Sequence, residues 1–285
     1  MGTLYRELAP LDLPGDLNVS IQESFMVFPS KETERKTMFL SNIDKVLDFD
    51  VETVHFFPSH KDFPPHVVAD KLENALADAL VHYDFFAGRL KVNSETGRLE
   101  VDCNAAGAVH KNKDFLKPGD HPLCVVQLTS FKCGGFAIGL STSHTTFDGF
   151  SFKTFLDNLA ALAAKKPLVV SPCHDRKLLA ARSPPRVSFA HHELLKADSL
   201  PPGFDSGVFQ ASSEQLDFKI FQLTSDDLKA LKEKAKPAEG HHSAARVTGF
   251  NIVTAHVWRC KALSGEDDDP NRPSTVLYAV DIRSR

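Results

Sequence analysis

His144 and Asp148 stand four residues apart in the run His144-Thr-Thr-Phe-Asp148-Gly149. Histidine is the usual side chain for taking a proton from an alcohol or amine near neutral pH, because its own pKa lies there. A base of this kind raises a rate by roughly 10²–10⁴-fold. The imidazole must present one nitrogen unprotonated and be held in one orientation. Asp148 can hold it directly, or it can pin the loop by pairing with an arginine. Gly149 allows close approach of backbone or ligand. A bare HxxxD spacing arises often by chance, so its surroundings decide its meaning. Here an apolar run ends just before His144 and an amphipathic run begins just after Asp148.

Other chemistries find less support. Gly139, Ser141 and Ser143 miss the nucleophile elbow GxSxG by one residue. There is no HExxH and no CxxC pair, so no metal is expected. The pairs His191-His192 and His241-His242 fall in polar stretches and read as solvated. Gly134-Gly135 without a phosphate-binding fingerprint is a turn. The acidic run 267–269 is a solvated loop.

Hydrophobic periodicity gives the elements that would position His144. Residues 51–57 alternate and are β-branched, which predicts a strand. After Pro64-Pro65, residues 66–83 place Val68, Leu72, Leu76, Ala79 and Tyr83 at helical spacing. Residues 84–90 form a turn, and 99–103, 123–131 and 136–142 form strands. The helix 150–164 buries Phe152, Phe155, Leu156, Leu159 and Leu162, and its Phe-rich face is core. Lys165, Lys166 and Pro167 stop it, cations suiting a helix C-terminus. Residues 1–24 read as an extended arm with one short strand, and 167–212 as a long crossover. Beyond it come a strand at 216–223, a helix opened by a capping box at Thr224 and Asp227, a helix over 248–263 and a strand at 275–282.

The 285 residues, 42% hydrophobic and 25% charged, allow one large domain or two smaller ones with a sizeable core. A net charge of −4 and a pI near 6.3 leave no footprint for nucleic acid. No apolar run is long enough to span a bilayer, and the N-terminus lacks a signal peptide's apolar stretch. Five cysteines without paired spacing read as free thiols. A soluble cytoplasmic protein is expected.

Beside His144 to Gly149, several runs occur together in one order. These are residues 40–44 (LSNID), 83–90 (YDFFAGRL), 131–135 (FKCGG), Asp175-Arg176, 254–259 (TAHVWR) and 280–285 (VDIRSR). In this set the chain resembles the plant BAHD acyltransferases over nearly its whole length. The resemblance implies an α/β fold, a chloramphenicol-acetyltransferase-like mixed-sheet domain with the start of a second similar domain. It implies a domain at 1–166 carrying HxxxD, a crossover at 167–212, and an incomplete second domain at 213–285. The family's later motif, DFGWG, is absent from the chain, whose family members run longer by roughly half.

The resemblance further implies transfer of an acyl group, aromatic hydroxycinnamoyl or fatty, from acyl-CoA to a small alcohol acceptor. His144 would be the general base. Asp148 would point away from the site and support the loop structurally, with Arg283 as its partner. Ser243, Arg246 and Thr248 are the candidates for holding CoA, with Lys232, Lys234 and Lys236 nearby. Acyl-CoA is a co-substrate, no cofactor is bound permanently, and a monomer is expected. The competing reading is a non-catalytic, acyltransferase-like binding or regulatory protein, or an inactive truncated product.

Overall fold

In the computed structural model, residues 20, 24–110, 120–186, 188, 221, 223–235, 247–263, 276 and 278 are described. The chain divides into two compact units, one of residues 18–187 and one of residues 1–17 with 188–285. The first carries His144.

Its elements run β1 (Phe25–Val27), β2 (Lys36–Phe39), α1 (Asn42–Val46), β3 (Asp50–Phe57), α2 (Pro65–His82), a 3₁₀ turn (Asp84–Ala87), β4 (Arg89–Val92), β5 (Leu99–Cys103), β6 (Ala108–His110), β7 (Cys124–Ser130), β8 (Phe136–Ser143) and α3 (Gly149–Ala163). A five-stranded sheet has the order β1-β6-β7-β8-β3, with β6 and β7 parallel and the other neighbours antiparallel. A three-stranded antiparallel sheet has the order β2-β5-β4. The α/β class with a mixed sheet is as expected.

The periodic elements stand where the sequence put them, within a residue or two. In α2, Leu72, Leu76, Ala79 and Leu80 are buried, and the helix packs on α3 through Phe155 and Leu159. The helix starts at Pro65, one residue earlier than expected, because proline's fixed φ suits the first helical position and its missing N–H is not needed there. Residues 84–90, expected as a turn throughout, wind into the 3₁₀ turn and then enter β4. Gly88 joins them, because a Cβ there would lie 2.5 Å from the Asp102 carbonyl and 2.9 Å from that of Phe85. Between β7 and β8, Gly134 takes φ +83, as the turn expected at Gly134-Gly135 requires.

The strands β1, β2, β4 and β6 and the helix α1 were not foreseen. Each spans five residues or fewer, too short for a period to show. The second unit contributes α4 (Ser225–Lys234) and α5 (Gly249–Leu263). The capping box expected at α4 is present: Thr224 Oγ1 accepts from Asp227 N, and Asp227 accepts from the Thr224 N–H at 2.8 Å. The strands expected at 216–223 and 275–282, the N-terminal arm and most of the crossover lie outside the described residues.

Candidate active site

β8 ends at Ser143, and the chain turns through Thr146 before α3 begins at Gly149. This turn is held from several directions at once. The His144 N–H donates to the Phe49 carbonyl at 2.8 Å, tying the strand end to the approach of β3. Thr146 donates to the Ser143 carbonyl through its N–H at 3.0 Å and through its hydroxyl at 2.6 Å. The hydroxyls of Ser143 and Thr145 bond to each other at 2.8 Å. Phe147 inserts edge-on between Phe85 and Phe86, 4.5 Å from the latter's ring centroid, in a cluster that also holds Tyr83 and Phe155. Edge-to-face aromatic pairs add about 0.5–1.5 kcal/mol beyond area burial. The 83–90 run therefore serves the His144 loop as the socket for Phe147.

Asp148 is the N-cap of α3. Its Oδ1 accepts from the Ser151 N–H at 2.9 Å, and its carbonyl accepts from the Phe152 N–H at 2.8 Å. An aspartate at this position stabilises a helix by about 1 kcal/mol and favours the positive end of its dipole. Asp148 thereby fixes where the loop ends.

Arg176 lies beyond α3 in a short 3₁₀ turn, Arg176–Leu179. One guanidinium nitrogen donates to the Thr145 carbonyl at 2.8 Å, and another donates to the carbonyl of Thr146. The guanidinium also pairs with Asp44 Oδ1 at 2.7 Å. Asp44 Oδ2 in turn accepts from the Ser41 N–H at 2.7 Å, closing the capping box of α1. Two of the runs noted in the sequence, 40–44 and Asp175-Arg176, thus meet at the His144 loop. Both runs stand out in the sequence, but nothing in either reveals this role. The only local signal was the capping-box spacing of Ser41 and Asp44.

Arg176 reaches the loop because the segment after α3 is docked. Asn158, fully buried in α3, donates to the Tyr83 hydroxyl at 2.7 Å and the Val170 carbonyl at 2.8 Å. Its Oδ1 accepts from the N–H groups of Val169 at 2.8 Å and Val170 at 3.1 Å. His174 Nε2 donates to the His82 carbonyl at 2.8 Å. Burial holds the His174 pKa below its ordinary value, with the hydrogen bond to the His82 carbonyl and the Asp84 charge opposing the effect and the Arg176 and Lys36 charges adding to it.

Against this bonding, one group stands out. Within the loop, the one buried side-chain nitrogen or oxygen without a partner among the described residues is His144 Nδ1. The imidazole rests against Phe49, with ring centroids 5.0 Å apart. A buried polar atom left unpaired costs about 1–3 kcal/mol, so it calls for an explanation. Four more such atoms occur among the described residues: Ser24 Oγ, Ser141 Oγ on β8, and Thr53 Oγ1 and His55 Nε2 on β3. In the β3–β8 register Thr53 stands opposite Leu140 and His55 opposite Ile138. At ~3.3 Å per residue, these positions lie about 13 and 20 Å along the strands from His144. The alternation of the pleat puts Thr53 and His55 on one face.

The other sequence candidates lie elsewhere. Thr248 caps α5 reciprocally with Asn251: its hydroxyl donates to Asn251 Oδ1 at 2.6 Å and accepts from the Asn251 N–H at 3.2 Å. Lys232 and Lys234 are exposed on α4. Ser243, Arg246, Lys236 and Arg283 lie outside the described residues. No group of three or more His, Cys, Asp or Glu side chains able to hold a metal occurs among the described residues.

The two sheets, the α2–α3 pair and a histidine set at a strand end define a class of α/β protein with the chloramphenicol-acetyltransferase-like fold. Vinorine synthase shares it with a TM-score of 0.55 at 22% identity, covering 86% of this chain and 62% of that one. The Transferase family profile matches residues 17–115 and 110–285, and the chain belongs to that family, the BAHD acyltransferases. Acyltransferase GLAUCE of Arabidopsis thaliana is 53% identical, over 100% of this chain and 69% of its own length. The Fatty alcohol:caffeoyl-CoA acyltransferase of the same plant is 32% identical, over 95% of this chain and 67% of its own length. The chain spans about two thirds of the length of these relatives.

Proposed function

We propose that this chain is the His-bearing part of an acyl-CoA-dependent acyltransferase that places a hydroxycinnamoyl or fatty acyl group on an alcohol. The observation that carries the reading is the unpartnered, buried His144 Nδ1 in a loop whose every other buried polar side chain is satisfied. A loop this firmly bonded holds its imidazole ready for a ligand. The name of the fatty alcohol:caffeoyl-CoA relative supports the hydroxycinnamoyl donor and the alcohol acceptor, and the fatty acyl donor rests on the family resemblance alone.

His144 removes the proton from the acceptor hydroxyl as its oxygen attacks the thioester carbonyl. The carbon–sulfur bond breaks, and the proton passes from the imidazolium to the CoA thiolate. Acyl-CoA and alcohol become ester and free CoA, with nothing oxidised or reduced. Asp148 acts through the helix start it caps, and Arg283 is its partner in this reading. Ser243 and Arg246 are retained as CoA-side donors, whereas the Thr248 hydroxyl spends its hydrogen on Asn251 in capping α5. The unpaired Thr53 and His55 offer hydrogen bonds to the polar atoms of the acceptor. The enzyme is expected to be monomeric and cytoplasmic.

The test is to incubate the chain with aromatic and aliphatic acyl-CoAs and a panel of alcohols, and to detect esters by mass spectrometry. Thr53→Val and His55→Leu should raise KM for the acceptor while leaving KM for acyl-CoA within about twofold, each lost hydrogen bond being worth about 0.5–1.5 kcal/mol. Ester formation indifferent to both changes would remove the acceptor assignment. No ester from any pairing would remove the enzyme reading for this chain.

A further inference from the structure

We propose that Arg176, held by Asp44, is a positioning residue for His144. The inference rests on the reading of His144 as general base.

His144 is fixed on its N-terminal side by its own N–H bond to Phe49. On the C-terminal side, the next two carbonyls, of Thr145 and Thr146, both accept from the Arg176 guanidinium. Two adjacent carbonyls turned towards one point repel each other, and a planar cation between them removes the repulsion. The side chains of Thr145 and Thr146 are fully buried, so few waters are at hand to replace the arginine. The fork sets the two peptide planes that follow the histidine, and with them the direction in which the imidazole leaves the backbone.

Asp44 completes the device. The side chains of Arg176 and Asp44 are each only 16% exposed, so neither charge is well screened. Asp44 neutralises the guanidinium beside the loop. It is itself anchored through Ser41, which is fully buried, and Arg98 donates to the neighbouring Leu40 carbonyl at 3.0 Å. A path of direct contacts therefore runs from the end of β2 through Asp44 and Arg176 to the backbone that carries His144. Lysine cannot reproduce this grip, because a single ammonium point does not span two carbonyls and a carboxylate in one plane.

The test compares Arg176→Lys, Arg176→Ala and Asp44→Asn with the unaltered full chain, and with His144→Ala. Three quantities are read: the ring signals of His144 in protein labelled with ¹⁵N-histidine, assigned through His144→Ala; the split of ester formation into kcat and KM; and thermal midpoints. Arg176→Lys should shift the His144 signals while those of His66, at the start of α2, stay in place. It should lower kcat about 10²-fold, the scale of loss for a reacting group displaced by about 1 Å, and leave KM for acyl-CoA within about twofold. Asp44→Asn should show a smaller loss of the same pattern.

Unmoved His144 signals and unchanged kcat in Arg176→Lys would overturn the proposal. So would a uniform shift of all histidines together with a lowered midpoint, which marks a general structural role. Undiminished transfer by His144→Ala would instead overturn the base assignment. The ring signals need no turnover, so they decide the positioning claim on their own.

Discussion

Asn158→Ala is the perturbation whose size the structure states best. The side chain is fully buried and makes four hydrogen bonds, two through each end of its amide. Alanine leaves the Tyr83 hydroxyl, on a residue only 2% exposed, without its partner. An orphaned buried group costs about 1–3 kcal/mol. The three bonds to Val169 and Val170 count for less, because both residues are more than half exposed and water can replace Asn158 there. About 0.5 kcal/mol each is a fair share. The sum is about 3 kcal/mol, or roughly 10²-fold in the equilibrium for releasing the segment after α3. Hydrogen exchange followed by mass spectrometry suits the measurement. The chain's one tryptophan, Trp258, belongs to the other unit, so its fluorescence is the wrong probe. Protection should fall by that factor in peptides spanning 167–176 and in the His144 loop, and much less in β7. A loss below threefold, or one spread evenly over the sheet, would refute the view that Asn158 is the clasp of this segment.

Other expectations follow from single contacts. Gly88→Ala should destabilise the first unit by at least about 2 kcal/mol in urea titration, since its Cβ would meet two backbone carbonyls that cannot rotate away. Burial depresses the His174 pKa in the folded chain below the ordinary 6.5, so the unfolded chain binds the proton more readily. Stability is therefore full above that value and falls as pH drops through it. Protection of 167–176 should decline from pH 7.5 to 5.5 after correction for intrinsic exchange, and His174→Gln, which keeps a donor for the His82 carbonyl, should flatten the decline. Burial pushes the thiols of Cys103 and Cys124 up to about 11 and about 12. Iodoacetamide at pH 8 should therefore label Cys133, Cys173 and Cys260 in the native chain, and the two buried thiols only after unfolding.

What the sequence disclosed and what it withheld divide along a physical line. α2, α3, β3, β7 and β8 are long enough for a burial period to repeat, and their register follows from it. The site loop was legible because His144, Asp148 and Gly149 are near neighbours whose flanking elements are of this long kind. Arg176 was legible only as a run of letters. Its role depends on Asp44, more than a hundred residues earlier, and on a segment docked by Asn158, and no local pattern reports such pairings. Thr53 and His55 were read only as strand residues. Their unpaired state is a property of the assembled sheet, where neither Thr53 Oγ1 nor His55 Nε2 finds a partner among the described residues.

The most direct test of the account is ester formation by His144→Ala beside the unaltered chain, with thermal midpoints matched to show that both are folded. The account predicts transfer in the unaltered chain and a loss of roughly 10²–10⁴-fold in the variant, the range for removing a general base. Transfer at an unchanged rate in a folded His144→Ala would contradict it.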